Sequence, residues 1–404
     1  MPSMTRSLAA LSLAILLGTA VAHSAPQDAA LVSDTNFNVF LQELWPDAKA
    51  AGITRVTFDI AFAGIAPDPR IIAATRREPE YGKPVGAYIA SMASPVRIAE
   101  GIQKASQWAG ILDAVEKKFG VDRFIIVAIW GVETSYGAAK DRWDVIRSLA
   151  TLAQARYRHP YFRNELLTAL MILQQDHIAR DKMLGSWAGA MGQPQFMPSS
   201  FMDYAVDFSG DGRRDIWTNV PDVLGSMANY FIKQGWKPDL PWGFEVIVPN
   251  GFDYRRSRAS FSDWVRLGIR RADNGALPGS GEGILFFPSG AAGPAFLVTE
   301  NFIVIKRYNN SDVYALAVAH LADRMRGRSP IRAAWPPSDP QLSRDERVSL
   351  QKTMAKLGYN VQDFAGRIDF EQRDAIRDLQ VKFGMLPDGH PTAALLERLG
   401  ANRP

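Results

Sequence analysis

Apolar residues recur at helical spacing through most of the chain. Leu41, Leu44 and Trp45 form one set, and Ile111, Leu112 and Val115 a second. Leu166, Leu167, Leu170 and Leu173 form a third, with Gln174 on the same face. Steps of three and four residues place such side chains on one side of a helix, so residues 27–240 are predicted to be mainly helical. From residue 243 the period changes. Phe244-Glu245-Val246-Ile247-Val248, Ile284-Leu285-Phe286-Phe287 and Phe302-Ile303-Val304-Ile305 are short, β-branched or alternating, and bounded by Pro, Gly or Asn. That pattern predicts three strands. Residues 263–268 between them predict a short helix, and helix resumes over 313–325. A run with Pro330, Pro336, Pro337 and Pro340 predicts a linker over 327–340. Beyond it, Leu350, Met354 and Leu357, then Ile376, Leu379 and Phe383, have helical spacing and are each followed by glycine. Residues 392–399, capped by Thr392, complete a small three-helix module over 341–404. The expected fold class is α+β, mainly helical, with a small β subdomain and this closing unit.

One stretch departs from amphipathic patterning. Ile125-Ile126-Val127-Ala128-Ile129-Trp130-Gly131-Val132 is apolar on all sides and ends in Glu133-Thr134-Ser135-Tyr136-Gly137. Val121-Asp122-Arg123 supplies a polar start and Gly137 a stop, so a buried helix is predicted, with Glu133 at its C-terminal end. Burial and the negative end of the helix dipole both disfavour the charged carboxylate. A carboxyl that keeps its proton suits a general acid. The same position suits a glutamate paired with a nearby Arg or Lys.

Composition narrows the compartment. Residues 1–22 have Arg6, an apolar stretch from Leu8 to Ala20, and the small residues Ala20-Val21-Ala22, the pattern of an export signal peptide. The apolar run is too short for a membrane span, and no later segment is a candidate for one. The chain contains no cysteine, which excludes disulfides, thiolate chemistry and a lipid-modified cysteine. A soluble periplasmic protein is therefore expected. The net charge of +4 is mild and dispersed, so it favours an acidic polymer only weakly and does not argue for nucleic acid.

Two further segments carry chemistry. Gly185-Ser186-Trp187-Ala188-Gly189-Ala190-Met191-Gly192-Gln193-Pro194-Gln195-Phe196-Met197-Pro198-Ser199-Ser200 mixes small residues with hydrogen-bonding groups at Ser186 and Gln195. It suits the floor of a polar-substrate cleft, or a tight loop with no ligand. Asp207-Phe208-Ser209-Gly210-Asp211-Gly212-Arg213-Arg214-Asp215 begins like an EF-hand calcium loop. The twelfth position, where an acid is expected, is Thr218; Asp222 is the next carboxylate that closes a longer loop, and Asp215 is within reach of the same ion.

These motifs together resemble the B family of lytic murein transglycosylases, in a soluble form. The resemblance rests on Gly131-Val132-Glu133-Thr134, on Gly185 to Gly192, on Gln195 to Ser200, on Tyr204-Ala205-Val206-Asp207-Phe208-Ser209-Gly210-Asp211-Gly212, and on Arg307-Tyr308-Asn309. They stand in the family's order over roughly residues 30–325. It implies a lysozyme-like catalytic region over 27–326, with Glu133 as the single acid/base. It implies that Tyr88, Ser186, Gln195, Tyr230, Tyr308 and Asn309 line a saccharide cleft. It also implies a structural Ca2+ held by Asp207, Ser209, Asp211, the carbonyl of Arg213, and Asp222, with no cofactor for catalysis. The segment between Gly212 and Asp222 is one residue longer than the family pattern. The tail is similar to the small peptidoglycan-binding domain, through Leu357-Gly358-Tyr359, the stretch from Ala375 to Gln380, and Leu386-Pro387-Asp388-Gly389. Ala365-Gly366 stands where Asp-Gly is usual.

The expected activity is non-hydrolytic cleavage of the β-1,4 bond between N-acetylmuramic acid and N-acetylglucosamine in peptidoglycan glycan strands, leaving 1,6-anhydro ends. A hydrolytic muramidase would need a second carboxylate; Asp141 and Asp144 follow Glu133 but read as surface helix residues. A wall-binding protein with an inactive lysozyme-like core is the alternative outside enzymes.

Overall fold

The computed structural model describes residues 34–75, 83–139 and 143–400. The predicted signal peptide and Asp141 lie outside them. The N-terminal part is helical: α1 (Asp34–Ala50), α2 (Arg55–Phe62), α3 (Pro69–Ala74), α4 (Val85–Met92), α5 (Pro95–Gln107), α6 (Ala109–Phe119) and α7 (Arg123–Thr134). Strand β1 (Trp143–Asp144) leads into α8 (Val145–Gln154) and α9 (Tyr161–Gln174); β2 (Leu184–Gly185) precedes α10 (Pro198–Tyr204) and α11 (Val220–Lys233). Then come β3 (Gly243–Ile247), β4 (Arg258–Ser260), α12 (Phe261–Arg266), β5 (Arg270–Arg271), β6 (Glu282–Phe286) and β7 (Ala295–Val298). Helices α13 (Glu300–Asn309), α14 (Asp312–Met325), α15 (Arg344–Lys356), α16 (Phe370–Lys382) and α17 (Ala393–Arg398) complete the chain.

The apolar run becomes the central helix. Asp122 starts α7 by accepting the Phe124 and Ile125 amides, and every residue from Ile125 to Gly131 is buried. Helix α14 packs along α7 and also against α4, α5 and α13. Ser311 caps α14, accepting the Tyr314 amide. Helices α8 and α9 pair beside this centre, and α11 reaches it through α6 and α7.

The strands form an antiparallel sheet in the order β4-β6-β7-β3-β5, backed by α12 through a core of Phe244, Phe261, Trp264 and Leu285. The expected strand at Phe302–Ile305 is instead part of α13. The sheet strand in that region is β7, seven residues earlier. Thr299 ends it and caps the helix, accepting the Asn301 amide, and Glu300 stands in the first turn. Phe302 and Ile305, three apart, then face the core together. Asp144, expected on a surface helix, pairs with Leu184 in the short β1–β2 ladder and caps α8.

The C-terminal unit has its own core of Leu350, Met354, Ile376, Leu379 and Leu395. It is nevertheless joined to the rest through buried contacts. Phe370 packs on Phe286 and Phe302, with centroids 5.5 and 6.3 Å apart. Between them sits a buried ion triad: Lys306 Nζ is 2.7 Å from Asp312 Oδ1, and Arg373 Nη2 is 2.8 Å from Asp312 Oδ2. Burial acts to raise the Asp312 pKa, but the two cations outweigh it and hold the carboxyl below its ordinary range.

Candidate active site

Glu133 is the penultimate residue of α7, half-buried where that helix leaves the core. The helix ends abruptly. Ser135 and Tyr136 both take left-handed φ, 49° and 59°, and their amides return to Gly131 and Trp130 carbonyls. Consecutive positive φ at non-glycine residues is strained and requires fixed surroundings. Packing supplies them. The Tyr136 ring folds under α7, where a Cβ on Gly131 would lie 2.5 Å from it, and its hydroxyl donates to the Arg97 carbonyl at 2.6 Å. Gly131 of the Gly-Val-Glu-Thr motif is thus needed for this close approach.

Gln193 fixes the same helix end from the other side. Its Oε1 accepts the Trp130 indole N–H at 2.8 Å, and its carbonyl accepts the Thr134 hydroxyl at 3.0 Å. Its own amides donate to Ile216 and Trp217 carbonyls. Gln193, through its backbone and side chain together, therefore ties the end of α7 to the glycine-rich loop and to the segment leading into α11.

Glu133 Oε1 accepts the Tyr314 hydroxyl at 2.5 Å. Tyr314 lies in the first turn of α14 and is 3% exposed. Burial and then the Glu133 charge push its pKa well above the ordinary value. Its hydroxyl therefore stays protonated and remains a hydrogen-bond donor to Glu133. Sequence reading missed Tyr314 because its position also fits the apolar face of its helix. The available signal was a further tyrosine six residues after Tyr308.

Tyr308, in the last turn of α13, donates to the Pro194 carbonyl at 2.8 Å. Burial, the Glu133 charge and Tyr230 raise its pKa. Tyr230 sits on α11 with its ring centroid 4.9 Å from that of Tyr308. Tyr88 of α4 is close enough to contribute to the Tyr314 shift. Tyr314 and Tyr308 thus lie near Glu133, with Tyr88 beside Tyr314 and Tyr230 beside Tyr308. Glu133 is the carboxylate that contributes to the shifts of both Tyr308 and Tyr314.

Ser186 follows β2. Its Oγ accepts the Ala188 and Ala190 amides at 3.3 and 3.1 Å. Both lone pairs are engaged, so the O–H is its remaining donor. Gln195, at φ 54°, donates to its own turn at the Gly192 carbonyl. Asn309 is exposed at the end of α13.

The acidic loop lies beyond Gln193. Ligand oxygens of Asp207, Asp211 and Asp222 come within 4.8 Å of one another. Asp222, fully buried, accepts the Phe208, Ser209 and Asp215 amides. Asp207 accepts the Gly210, Asp211 and Gly212 amides. Burial opposes these bonds, yet they hold its carboxyl below the ordinary range. Ser209 Oγ contacts Asp207 and accepts from the Asn219 side chain, which also donates to Asp211. An all-oxygen set with three carboxylates fits a hard cation such as calcium. Arg213 is exposed, and Asp215 turns back to cap the Trp217 and Thr218 amides.

Residues 36–323 match the Transglycosylase SLT domain family, and residues 343–399 match the peptidoglycan-binding domain family. The chain is 36% identical over 234 residues to membrane-bound lytic murein transglycosylase B of Escherichia coli (strain K12). That match covers 56% of this chain and 63% of the relative's length, less than two thirds of it. A crystal structure of SltB3 from Pseudomonas aeruginosa, in complex with NAG-anhNAM-pentapeptide, is 44% identical with a TM-score of 0.82, covering 90% of this chain and 99% of that one. The Escherichia coli lytic transglycosylase SLT35, in complex with calcium, is 27% identical with a TM-score of 0.61, covering 75% and 98%.

Proposed function

Because this chain belongs to the Transglycosylase SLT domain family, we propose that it is a lytic murein transglycosylase. Its substrate is the glycan strand of peptidoglycan, and its product carries 1,6-anhydro-N-acetylmuramic ends. The observation that supports this reading best is Glu133, a carboxylate at the end of the central helix, held by the Tyr314 hydroxyl and close enough to Tyr308 to shift it.

Glu133 gives its proton to the leaving O4 as the C1–O4 bond breaks. The substrate's own N-acetyl group stabilises the charge at C1. Glu133, now ionised, takes the proton from the C6 hydroxyl, and O6 closes onto C1. The proton count balances on one carboxylate, and no water needs activation. Tyr314 orients the carboxylate throughout. Ser186, with its O–H left to donate, holds the N-acetyl carbonyl or a neighbouring group. Tyr88, Tyr230 and Tyr308 pack on sugar faces, and Gln195 and Asn309 complete the cleft.

Asp207, Ser209, Asp211, the Arg213 carbonyl and Asp222 would hold a calcium ion, which would tie the acidic loop to α11 without entering the reaction. The unit at 341–404 binds the same polymer, and 327–340 connects it to the catalytic region. The signal at 1–22 directs the protein to the periplasm. Among the described residues, no helix is long and apolar enough to cross a membrane.

Mass analysis of digested sacculi tests the activity. Anhydro ends are expected, and Glu133→Gln should abolish them while sacculus binding persists. Reducing muramic ends would mean hydrolysis instead. Undiminished lysis by Glu133→Gln would remove Glu133 from its role.

A further inference from the structure

The segment after α14 is strapped onto the catalytic region at three points before it reaches the C-terminal unit. First, the Arg332 and Ala333 amides donate to the Glu245 carboxylate on β3, at 2.7–3.0 Å. Second, the Trp335 ring lies on Gly86 of α4, where a Cβ would come 2.5 Å from the ring. Third, Asp339 is buried at 7% exposure and accepts the Val85 amide at 3.0 Å. Val85 is the first residue of α4, and the residue before it, Pro84, makes no side-chain cap. The strap thus supplies from 254 residues away the acceptor that a local cap would ordinarily give.

The helix so held is only eight residues long and carries Tyr88. Tyr88 is one turn from Val85 and two residues from Gly86, so a tilt of α4 moves its ring directly. Helix α4 also packs against α14, the helix that carries Tyr314, and at its far end Arg97 of α5 donates to the Ser91 and Met92 carbonyls. Glycine is a poor helix former. Its presence at 86 is explained by the flat approach of Trp335.

We propose that Trp335 and Asp339 are positioning residues: the strap sets the pose of α4 and thereby holds Tyr88 against the bound glycan. This rests on the reading of Tyr88 as a cleft residue. The consequence is a coupling of the linker to substrate affinity through α4, with the acid chemistry at Glu133 left intact.

Steady-state kinetics of the full-length protein on soluble uncrosslinked glycan strands test it. Trp335→Ala and Gly86→Ala should each raise KM by about tenfold while kcat changes by less than about twofold. Trp335→Phe should restore most of the affinity. The pair of substitutions forms a cycle: with the ring gone, Gly86→Ala meets no clash, so the double variant should be no worse than Trp335→Ala alone. Asp339→Asn should move KM in the same direction. Unchanged KM in the single variants, whether or not the melting temperature falls, overturns the proposal, as do simply additive effects in the double variant. Wild-type protein that forms no anhydro product would sink the functional reading instead, so the two failures are distinguishable.

Discussion

Glu133 Oε1 receives the Tyr314 hydroxyl at 2.5 Å, and the two residues are 181 positions apart. That bond decides how the carboxylate points during both proton transfers. Tyr314→Phe removes the donor and keeps the ring, so the packing of α14 on α7 is retained. A hydrogen bond to a charged group contributes about 1.5–3 kcal/mol, which corresponds to a fall in kcat of roughly 10- to 100-fold. KM should change little, because Tyr314 is 3% exposed and offers no face to a substrate. Full kcat in that variant would show that Tyr314 does not orient the acid. Glu133 itself was legible in the sequence, since an apolar run ending in one carboxylate is a local pattern. Tyr314 and Gln193 were not, because their roles depend on partners brought together by packing.

At the scale of elements, caps and periods read from the sequence correspond to the structure where they act locally. Asp122 starts α7 and Thr392 starts α17. The acidic loop is a case where local pattern and longer geometry must combine. Asp222, not the residue at position 218, reaches Asp207 and Asp211. If calcium binds, an excess of it should raise the melting temperature by about 5 °C, and Asp211→Asn should remove most of the shift. No shift on adding calcium to chelator-treated protein would remove the metal. Because Gln193 links this region to the turn after Glu133, the ion would also stiffen the active-site floor.

At the scale of the whole molecule, the catalytic region and the C-terminal unit are clamped by buried charge. Asp312→Asn would leave Lys306 and Arg373 buried without their anion, a loss of about 3–5 kcal/mol, measurable by urea unfolding. A smaller cost would mean that water enters the junction. Acid should loosen the same architecture. Burial, then Arg324, depresses the His320 pKa to about 4, beside a cavity of about 340 Å³. Burial, then Arg373, depresses that of His390 to about 3. Unfolding lets both rings take a proton below their ordinary 6.5. The unfolded state then binds more protons, and stability falls as pH drops from about 6.5 toward 4, by up to about 1.4 kcal/mol per pH unit for each ring. His320→Gln combined with His390→Gln should flatten that slope, and an unchanged slope would assign it to other groups. By itself, the chain's sequence determined helix periods, caps, the change to strands near residue 243 and the lone acid at a helix end, because these depend on neighbours a few residues away. Tertiary structure decided that residues 302–305 are helical, that Tyr314 meets Glu133, that three acids converge, and that the Pro-rich segment straps α4. Those outcomes depend on which faces packing brings together, and spacing along the chain does not encode that locally.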